Sequence, residues 1–341
     1  MTHFWMRHEA RETERRAPLT PADAAALIAS GMQITVESSP QRVFSDDEYA
    51  DAGAALAPAE SWPDAPSDAY ILGLKELPES TAPLTHRHVF FGHAFKGQDG
   101  ARELLQRFEA GGGRLLDIEY LTDESGRRVV AFGYWAGYVG AALGVLELRG
   151  RLHTPLEPTD KPALDATLAP QDGDAPISAL VVGAKGRSGR GAVDALAAAS
   201  IDATQWDIAE TQNLDKQALL EHDLLVNCVV TSTPQPPFVT DQYLDGPRKI
   251  RMLADVTCDV TSANNMLPVN TSITTWDQPV RVLRSTPTAE VIAVDNLPSL
   301  LPREATVTFS ADLLPALQTI DAGGVVWRNA SASYDAAVRQ L

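Results

Sequence analysis

The stretch VVGAKGRSGRGAVDAL, residues 181–196, constrains the fold of this chain more than any other. An apolar run that reads as a strand feeds four closely spaced glycines, Gly183, Gly186, Gly189 and Gly191, and a helix begins among them. Glycines at such a turn let the backbone reverse tightly and approach a phosphate, and the helix N-terminus adds free N–H groups and partial positive charge. The spacing is GxxGxxG rather than GxGxxG, and a strand–helix turn can be glycine-rich with no ligand at all. The context adds weight. QWDI, residues 205–208, puts Asp207 at the end of the next expected strand, 24 residues after Gly183. A carboxylate there accepts hydrogen bonds from an adenosine ribose and repels a ribose 2′-phosphate, so NAD is expected rather than NADP.

The remaining text alternates short strands with helices, and 341 residues suffice for two ordinary domains. Thr20-Pro21 fits a helix start, and Gly31 a stop. Residues 32–36, 69–74, 89–91 and 114–120 read as strands, with helices from Asp46 to about Gly53 and from Gly100 to Gly111. Residues 153–176, rich in Pro and Asp, read as a loop. Beyond them, strands are expected at 177–184, 203–207, 224–230, 250–256 and 291–294, with a helix at 190–199. Such alternation implies parallel sheets covered by helices. Between Arg128 and Glu147 lie 18 uncharged residues with Gly133/Gly137 and Gly140/Gly144 pairs. Their length touches that of a membrane span, but small residues also let a buried helix pack closely on a neighbour, and the α/β text on both sides favours the second reading.

Ligands of parallel sheets gather at the carboxyl ends of strands. The run YILGL stops there in Lys75-Glu76, VFFG leads to His93, and Glu119 lies near the end of RLLDIEY. A histidine titrates near neutrality and a charge-coupled lysine can be tuned, so the set suits proton transfer. It also suits a solvated strand end, with Lys75 reaching for water and His93 simply hydrogen-bonded, and on spacing alone that plainer reading is the favoured one.

These segments carry a resemblance. ERRAPLTP (14–21), ILGLKELPE (71–79), HVFFGHAFKGQ (88–98), LLDIEYL (115–121), GRRVVAFGYWAGYVGAALGV (126–145), GAKGRSGRG (183–191), QWDI and VDNLPSLLPREA (294–305) together resemble the NAD-dependent, lysine-forming saccharopine dehydrogenases, relatives of the alanine dehydrogenase/transhydrogenase group. The resemblance implies an α/β chain of two Rossmann-like domains with mainly parallel sheets flanking a cleft. It implies a discontinuous substrate domain of residues 1–130 plus 303–341, a connecting helix over 131–150 and an NAD-binding domain over 151–302. The implied reaction is saccharopine, NAD and water giving lysine, 2-oxoglutarate and NADH. Lys75 is then the base for the substrate amine and His93 the acid–base group of the later steps, with Glu76 and Glu119 tuning both. Arg16 and Arg128 would hold substrate carboxylates, and Arg11 and Lys96 the more distal ones. Gly183, Gly186, Arg187, Ser188, Asp207, Thr211, Val256, Asp295 and Leu297 would surround the cofactor. Duller readings stand beside these: Arg16 follows Arg15 in a charged run and is then a solvated charge, Asp295 caps the helix at Leu297, and Thr211 is a helix N-cap. The chain departs from the family pattern at Ser188, where some relatives have Cys, at Arg190 inside the turn, at Arg11, where Lys is expected, and at Val230, where an aromatic is expected beside the adenine.

Composition sets outer limits. Twenty-eight basic against 45 acidic side chains leave a net charge of −17, the wrong sign for a reader of phosphate backbones. Cys228 and Cys258 form no zinc or disulfide pattern, and the N-terminal MTHFWMRHEARETERR has no apolar signal core, so a cytoplasmic protein without metal, nucleic acid or membrane partner is expected. Its partners are then small molecules: saccharopine, lysine and 2-oxoglutarate. Assembly is open, with a monomer as the working expectation. Two other functions remain: a related opine or amino-acid dehydrogenase with altered carboxylate-binding arginines, and a non-catalytic NAD-binding regulator, which has no need of Lys75 and His93.

Overall fold

The computed structural model describes residues 1–96, 98–231 and 233–341. They divide into two compact units, Met1–Ala131 with Ala305–Leu341, and Phe132–Glu304.

The first unit contains β1 (His3–Met6), β2 (Gln33–Glu37), β3 (Ala55–Ala57), β4 (Tyr70–Leu72), β5 (Arg87–Phe90) and β6 (Arg114–Asp117). They form one sheet in the order β3-β2-β1-β4-β5-β6, and every pairing is parallel. The order reverses between β1 and β4, the kind of position at which open parallel sheets take their ligands. The loop after β1 carries Arg7 to Arg16, and that after β4 carries Lys75 and Glu76. Helix α1 (Pro21–Ala29) begins as expected, with Thr20 Oγ1 accepting the Asp23 N–H at 3.1 Å. Helix α2 spans Asp46–Asp51 and α3 spans Ala101–Gly111.

Several sequence expectations are corrected in this unit. β1 was hidden: HFWM is only four residues long and sits in charged text, yet Phe4 and Met6 are buried. Residues 114–120 are not all strand. β6 stops at Asp117, whose Oδ1 accepts the Glu119 N–H at 2.8 Å and turns the chain into a single 3-10 turn, Ile118–Tyr120.

The second unit opens with α4 (Gly133–Leu148), followed by α5 (Lys161–Leu168), β7 (Ala179–Val182), α6 (Arg187–Ala198), β8 (Thr204–Trp206) and α7 (Ile208–Thr211). Then come α8 (Lys216–Leu220), β9 (Leu224–Asn227), α9 (Asp241–Asp245), β10 (Met252–Asp255), β11 (Arg281–Ser285) and β12 (Thr288–Ile292). The sheet order is β11-β12-β10-β9-β7-β8, parallel except for the β11–β12 hairpin, and it reverses between β7 and β9. Helix α5 falls where a loop was expected. Asp160 Oδ1 accepts the Ala163 N–H at 2.8 Å, Pro162 lies in the first turn, and Leu164 and Leu168 are buried, so the Pro and Asp that suggested a loop are helix-start chemistry.

The uncharged run of 129–146 supplies α4. Its glycines face α6 and the sheet: a Cβ on Gly137 would lie 1.7 Å from the Ser188 carbonyl oxygen, and one on Gly191 would lie 1.9 Å from that of Tyr134. The two helices therefore touch backbone to backbone, which only glycine permits. No helix among the described residues is long and apolar enough to cross a membrane. The chain ends in α10 (Pro302–Leu317) and α11 (Val325–Val338).

Candidate active site

In the first unit, Lys75 follows β4 and His93 follows β5, at the carboxyl edge of neighbouring strands. Around them two charged groups assemble. In one, Arg11 grips Glu76 through Nε at 2.8 Å and Nη2 at 3.1 Å, and Arg16 grips Glu14 through Nε at 2.7 Å and Nη2 at 2.6 Å. Burial pushes the Glu14 carboxyl up, but the Arg16 guanidinium and the Lys75 ammonium outweigh it and hold the group below the usual carboxylate range. The same balance lowers Glu76: burial opposes, and Arg11 and Lys75 win. Lys75 thus stands in the field of two ionised carboxylates. Glu14, Glu9 and Arg7 were not singled out from sequence, where they read as part of a charged run.

In the other group Glu119 is the hub. Its carboxylate lies 3.8 Å from His93 Nδ1, 2.9 Å from Lys96 Nζ and 3.4 Å from Arg128 Nη2, and its carbonyl accepts from Arg128 Nε at 3.1 Å. Burial raises its pKa, while Lys96, Arg128 and His93 bring it below the ordinary value. His93 itself holds φ +48°, a left-handed conformation rare for a residue with a Cβ. Asp117 sustains that turn: its Oδ2 accepts the Gly92 N–H at 3.1 Å while its Oδ1 holds Glu119. Burial lifts the Asp117 carboxyl to about 6, against the pull of the Glu119 N–H.

The four cations assigned to substrate carboxylates from sequence, Arg11, Arg16, Lys96 and Arg128, each pair with a protein carboxylate. Arg16 is not a solvated charge, being only 4% exposed. A substrate carboxylate would share or displace these partners.

In the second unit β7 delivers the chain to Gly183, which has φ +82°. The Gly183 and Ala184 N–H groups bond to the Trp206 carbonyl at 2.8 and 3.0 Å, tying the turn to the end of β8. A Cβ on Gly189 would meet the Gly183 oxygen at 2.1 Å, so α6 packs directly on the turn. Helix α6 starts at Arg187 with Gly186 as its cap, which supplies no side-chain hydrogen bond to the first turn. Asp207, just past β8, accepts the Lys185 N–H at 2.9 Å and the Ile208 N–H at 2.9 Å, and these bonds hold its carboxyl below the usual range. An uncapped helix N-terminus, a glycine turn and an ionised carboxylate at the neighbouring strand end fit a dinucleotide.

Other cofactor candidates take different positions from those expected. Thr211 is not a helix N-cap; it ends α7, its hydroxyl donating to the Asp207 carbonyl at 2.9 Å, and Asp207 is the cap. The N-cap position of the 3-10 turn Leu297–Leu300 is taken by Asn296, at φ +71°, and Asp295 stands one residue before it. The Leu297 side chain is buried in the core, and the partly buried Val256 packs against the same cluster. Val230 is 70% exposed. Burial drives the Cys228 thiol up to about 12, which disfavours its thiolate.

Residues 5–139 match the family described as alanine dehydrogenase/PNT, N-terminal domain. Proteins named saccharopine dehydrogenase (NAD(+), L-lysine-forming) are similar over nearly their full length. That of Schizosaccharomyces pombe is 41% identical over 365 aligned residues, covering 99% of each chain. That of Emericella nidulans is 42% identical over 367 residues, with 99% of this chain and 98% of the relative covered. That of Neurospora crassa is 42% identical over 362 residues, with 100% and 97% covered. Among solved structures, an L-alanine dehydrogenase superposes with a TM-score of 0.70 at 17% identity, covering 98% of this chain and 94% of the other. A transhydrogenase from Sinorhizobium meliloti does so with 0.63 at 16%, covering 93% and 94%. At these identities the structural likeness is one of fold. The chain belongs to the family of NAD-dependent, L-lysine-forming saccharopine dehydrogenases.

Proposed function

We infer that this chain catalyses the NAD-dependent oxidative cleavage of saccharopine to L-lysine and 2-oxoglutarate, and the reverse reductive condensation. The observation that carries the reading is identity of about 40% with enzymes of that name along the entire chain. NAD, when bound, accepts the hydride from the substrate carbon that bears the secondary amine. Everything else is proton and carboxylate chemistry, and the first unit is equipped for it.

The secondary amine must be neutral before its carbon can be oxidised, and Lys75 is the proposed base. The Glu14 and Glu76 carboxylates would stabilise the ammonium that forms as Lys75 takes the proton. Water must then attack the resulting imine carbon, and the carbinolamine must break its C–N bond as the departing lysine nitrogen is protonated. His93 is the proposed group for these transfers: a neutral imidazole takes a proton from water, the imidazolium returns one to the leaving amine, and the imidazole so regenerated takes the hydroxyl proton as the carbinolamine becomes the ketone. Glu119, 3.8 Å from Nδ1, favours that imidazolium. Saccharopine joins one carboxylate from lysine to two from 2-oxoglutarate, and the Arg11, Arg16, Lys96 and Arg128 set is proposed to hold them. Gly183, Gly186, Arg187 and Ser188 are proposed to cradle the pyrophosphate, and Asp207 the adenosine ribose; Thr211, Val256, Asp295 and Leu297 complete the proposed cofactor surround. A reducing, cytoplasmic setting is proposed on the two unbridged thiols.

The test follows NADH oxidation with 2-oxoglutarate and lysine, then with ornithine, alanine or ammonia in place of lysine. Turnover with lysine at the highest kcat/KM is expected. Turnover with another amine and none with lysine would transfer the chain to a different amine substrate.

A further inference from the structure

Lys75 lies past the end of β4, one residue beyond the backbone bond from the Phe91 N–H to the Leu74 carbonyl at 3.1 Å. Its main chain is held instead by two side chains from the loop after β1. Glu9 Oε1 accepts the Leu74 N–H at 2.6 Å and Oε2 accepts the Lys75 N–H at 3.0 Å. Arg7 Nη2 donates to the Lys75 carbonyl, and Arg7 Nη1 donates to Glu9 Oε2 at 3.2 Å, closing the ring. Both groups are nearly sealed from solvent, Arg7 at 2% and Glu9 at 5% exposure. A third residue is fitted to them: a Cβ on Gly73 would lie 2.4 Å from Arg7 Nε, so the guanidinium reaches the Lys75 carbonyl only because residue 73 has no side chain.

We propose that Glu9 and Arg7 are positioning residues, a buried clamp that fixes the main chain of Lys75 and thereby aims its side-chain nitrogen at the substrate amine. Stability is a poor reason for such a pair, because burying two charges costs several kcal/mol per ion in desolvation and apolar packing of equal volume commonly does as well or better. What the pair supplies that apolar residues cannot is a directional hold on the N–H and C=O of one residue at once. The strand order accounts for how it arises: β1 and β4 are neighbours in the sheet, so the start of the β1 loop lies beside the start of the β4 loop. The inference rests on the reading of Lys75 as the base.

The test is a double-mutant cycle with Glu9→Gln, Lys75→Met and both together, read as kcat, KM for NAD, NADH affinity and melting temperature. A carboxamide keeps one acceptor and turns an N–H toward the second donor, so the clamp opens on one side. Glu9→Gln is expected to lower kcat by about tenfold to a hundredfold, the scale of a misplacement near 1 Å, with the KM for NAD within twofold of the parent. In the Lys75→Met background the same substitution is expected to change kcat less than twofold, because the group it aims is gone. An equal loss in both backgrounds, or no loss in either, would overturn the clamp. A Lys75→Met variant as fast as the parent would instead remove the base, and the clamp with it. Should Glu9→Gln fail to fold, Glu9→Asp retains the charge beside Arg7 and withdraws the carboxylate by about 1.5 Å. It is expected to reproduce the loss confined to kcat, and parental turnover with Glu9→Asp would overturn the proposal.

Discussion

Gly137 carries a prediction that joins packing to cofactor binding. Replacing it with alanine would place a Cβ 1.7 Å from the Ser188 carbonyl oxygen and 2.5 Å from the Ser188 carbonyl carbon. A carbon–oxygen contact relaxes only at about 3.3 Å, so the first turn of α6 must retreat by roughly 1.6 Å. Neighbouring backbone, unlike a side chain, has no rotamer by which to yield. Overpacking of this kind costs about 1–3 kcal/mol or more, against about 1 kcal/mol gained in helix propensity. The retreating turn is the one proposed to donate N–H groups to the cofactor pyrophosphate. Losing one hydrogen bond to a charged group costs about 1.5–3 kcal/mol, which is a tenfold or greater rise in Kd. Gly133→Ala is the matched control. Its Cβ would meet the rotatable Ser188 Oγ at 3.1 Å and the Arg187 Cβ at 3.3 Å, contacts that a small adjustment absorbs. The assay is NADH titration by fluorescence with a thermal melt of each variant. Gly137→Ala should bind NADH at least tenfold more weakly than Gly133→Ala and melt lower. Equal affinities would refute the argument that α4 sets the position of the α6 N-terminus.

Three further outcomes are expected. His88 is fully buried with neither ring nitrogen hydrogen-bonded, and burial, aided by the nearby Arg7, His86 and Arg107, drives its pKa well below the usual value. The unfolded chain takes up a proton there as pH falls through about 6.5 and the folded chain does not, so stability present above that pH is lost below it, by up to about 1.4 kcal/mol per pH unit. His88→Phe should narrow the gap between melting temperatures at pH 7.5 and 5.5, and an unchanged gap would contradict this. Asp207→Asn keeps an acceptor for the Lys185 N–H while removing the charge that would repel a 2′-phosphate; it should lower the NAD-over-NADP ratio of kcat/KM, and an unaltered ratio would remove Asp207 from that role. Gly73→Ala should lower kcat as the Arg7 guanidinium is pushed from the Lys75 carbonyl, with NADH affinity held; a parental kcat would show that the guanidinium has room to spare.

What the sequence disclosed was set by how local each constraint is. The glycine turn was legible because tight reversal, close helix packing and an open helix N-terminus impose themselves on consecutive residues. Thr20-Pro21 was legible as a helix start for the same reason. Asp160 and Pro162 were equally local signals, but in a proline-rich stretch they looked like loop chemistry. Asp117 misled in the opposite direction, since its apolar neighbours extend a strand pattern that its side chain in fact terminates. The charged N-terminal run was the least legible part. Arg7, Glu9 and Glu14 read as part of a charged run, and their burial depends on a strand of four residues and on partners such as Gly73 and Lys75 more than 50 positions away. Pairing across a strand-order reversal leaves no period in the sequence by which to find it.

The most direct test of the account is Lys75→Met, measured for turnover and for NADH affinity in parallel. A general base contributes roughly a hundredfold to ten-thousandfold, so kcat for saccharopine oxidation should fall on that order while the Kd for NADH stays within twofold of the parent. Turnover that survives the substitution, or affinity lost in step with it, would contradict the assignment of proton chemistry to the end of β4.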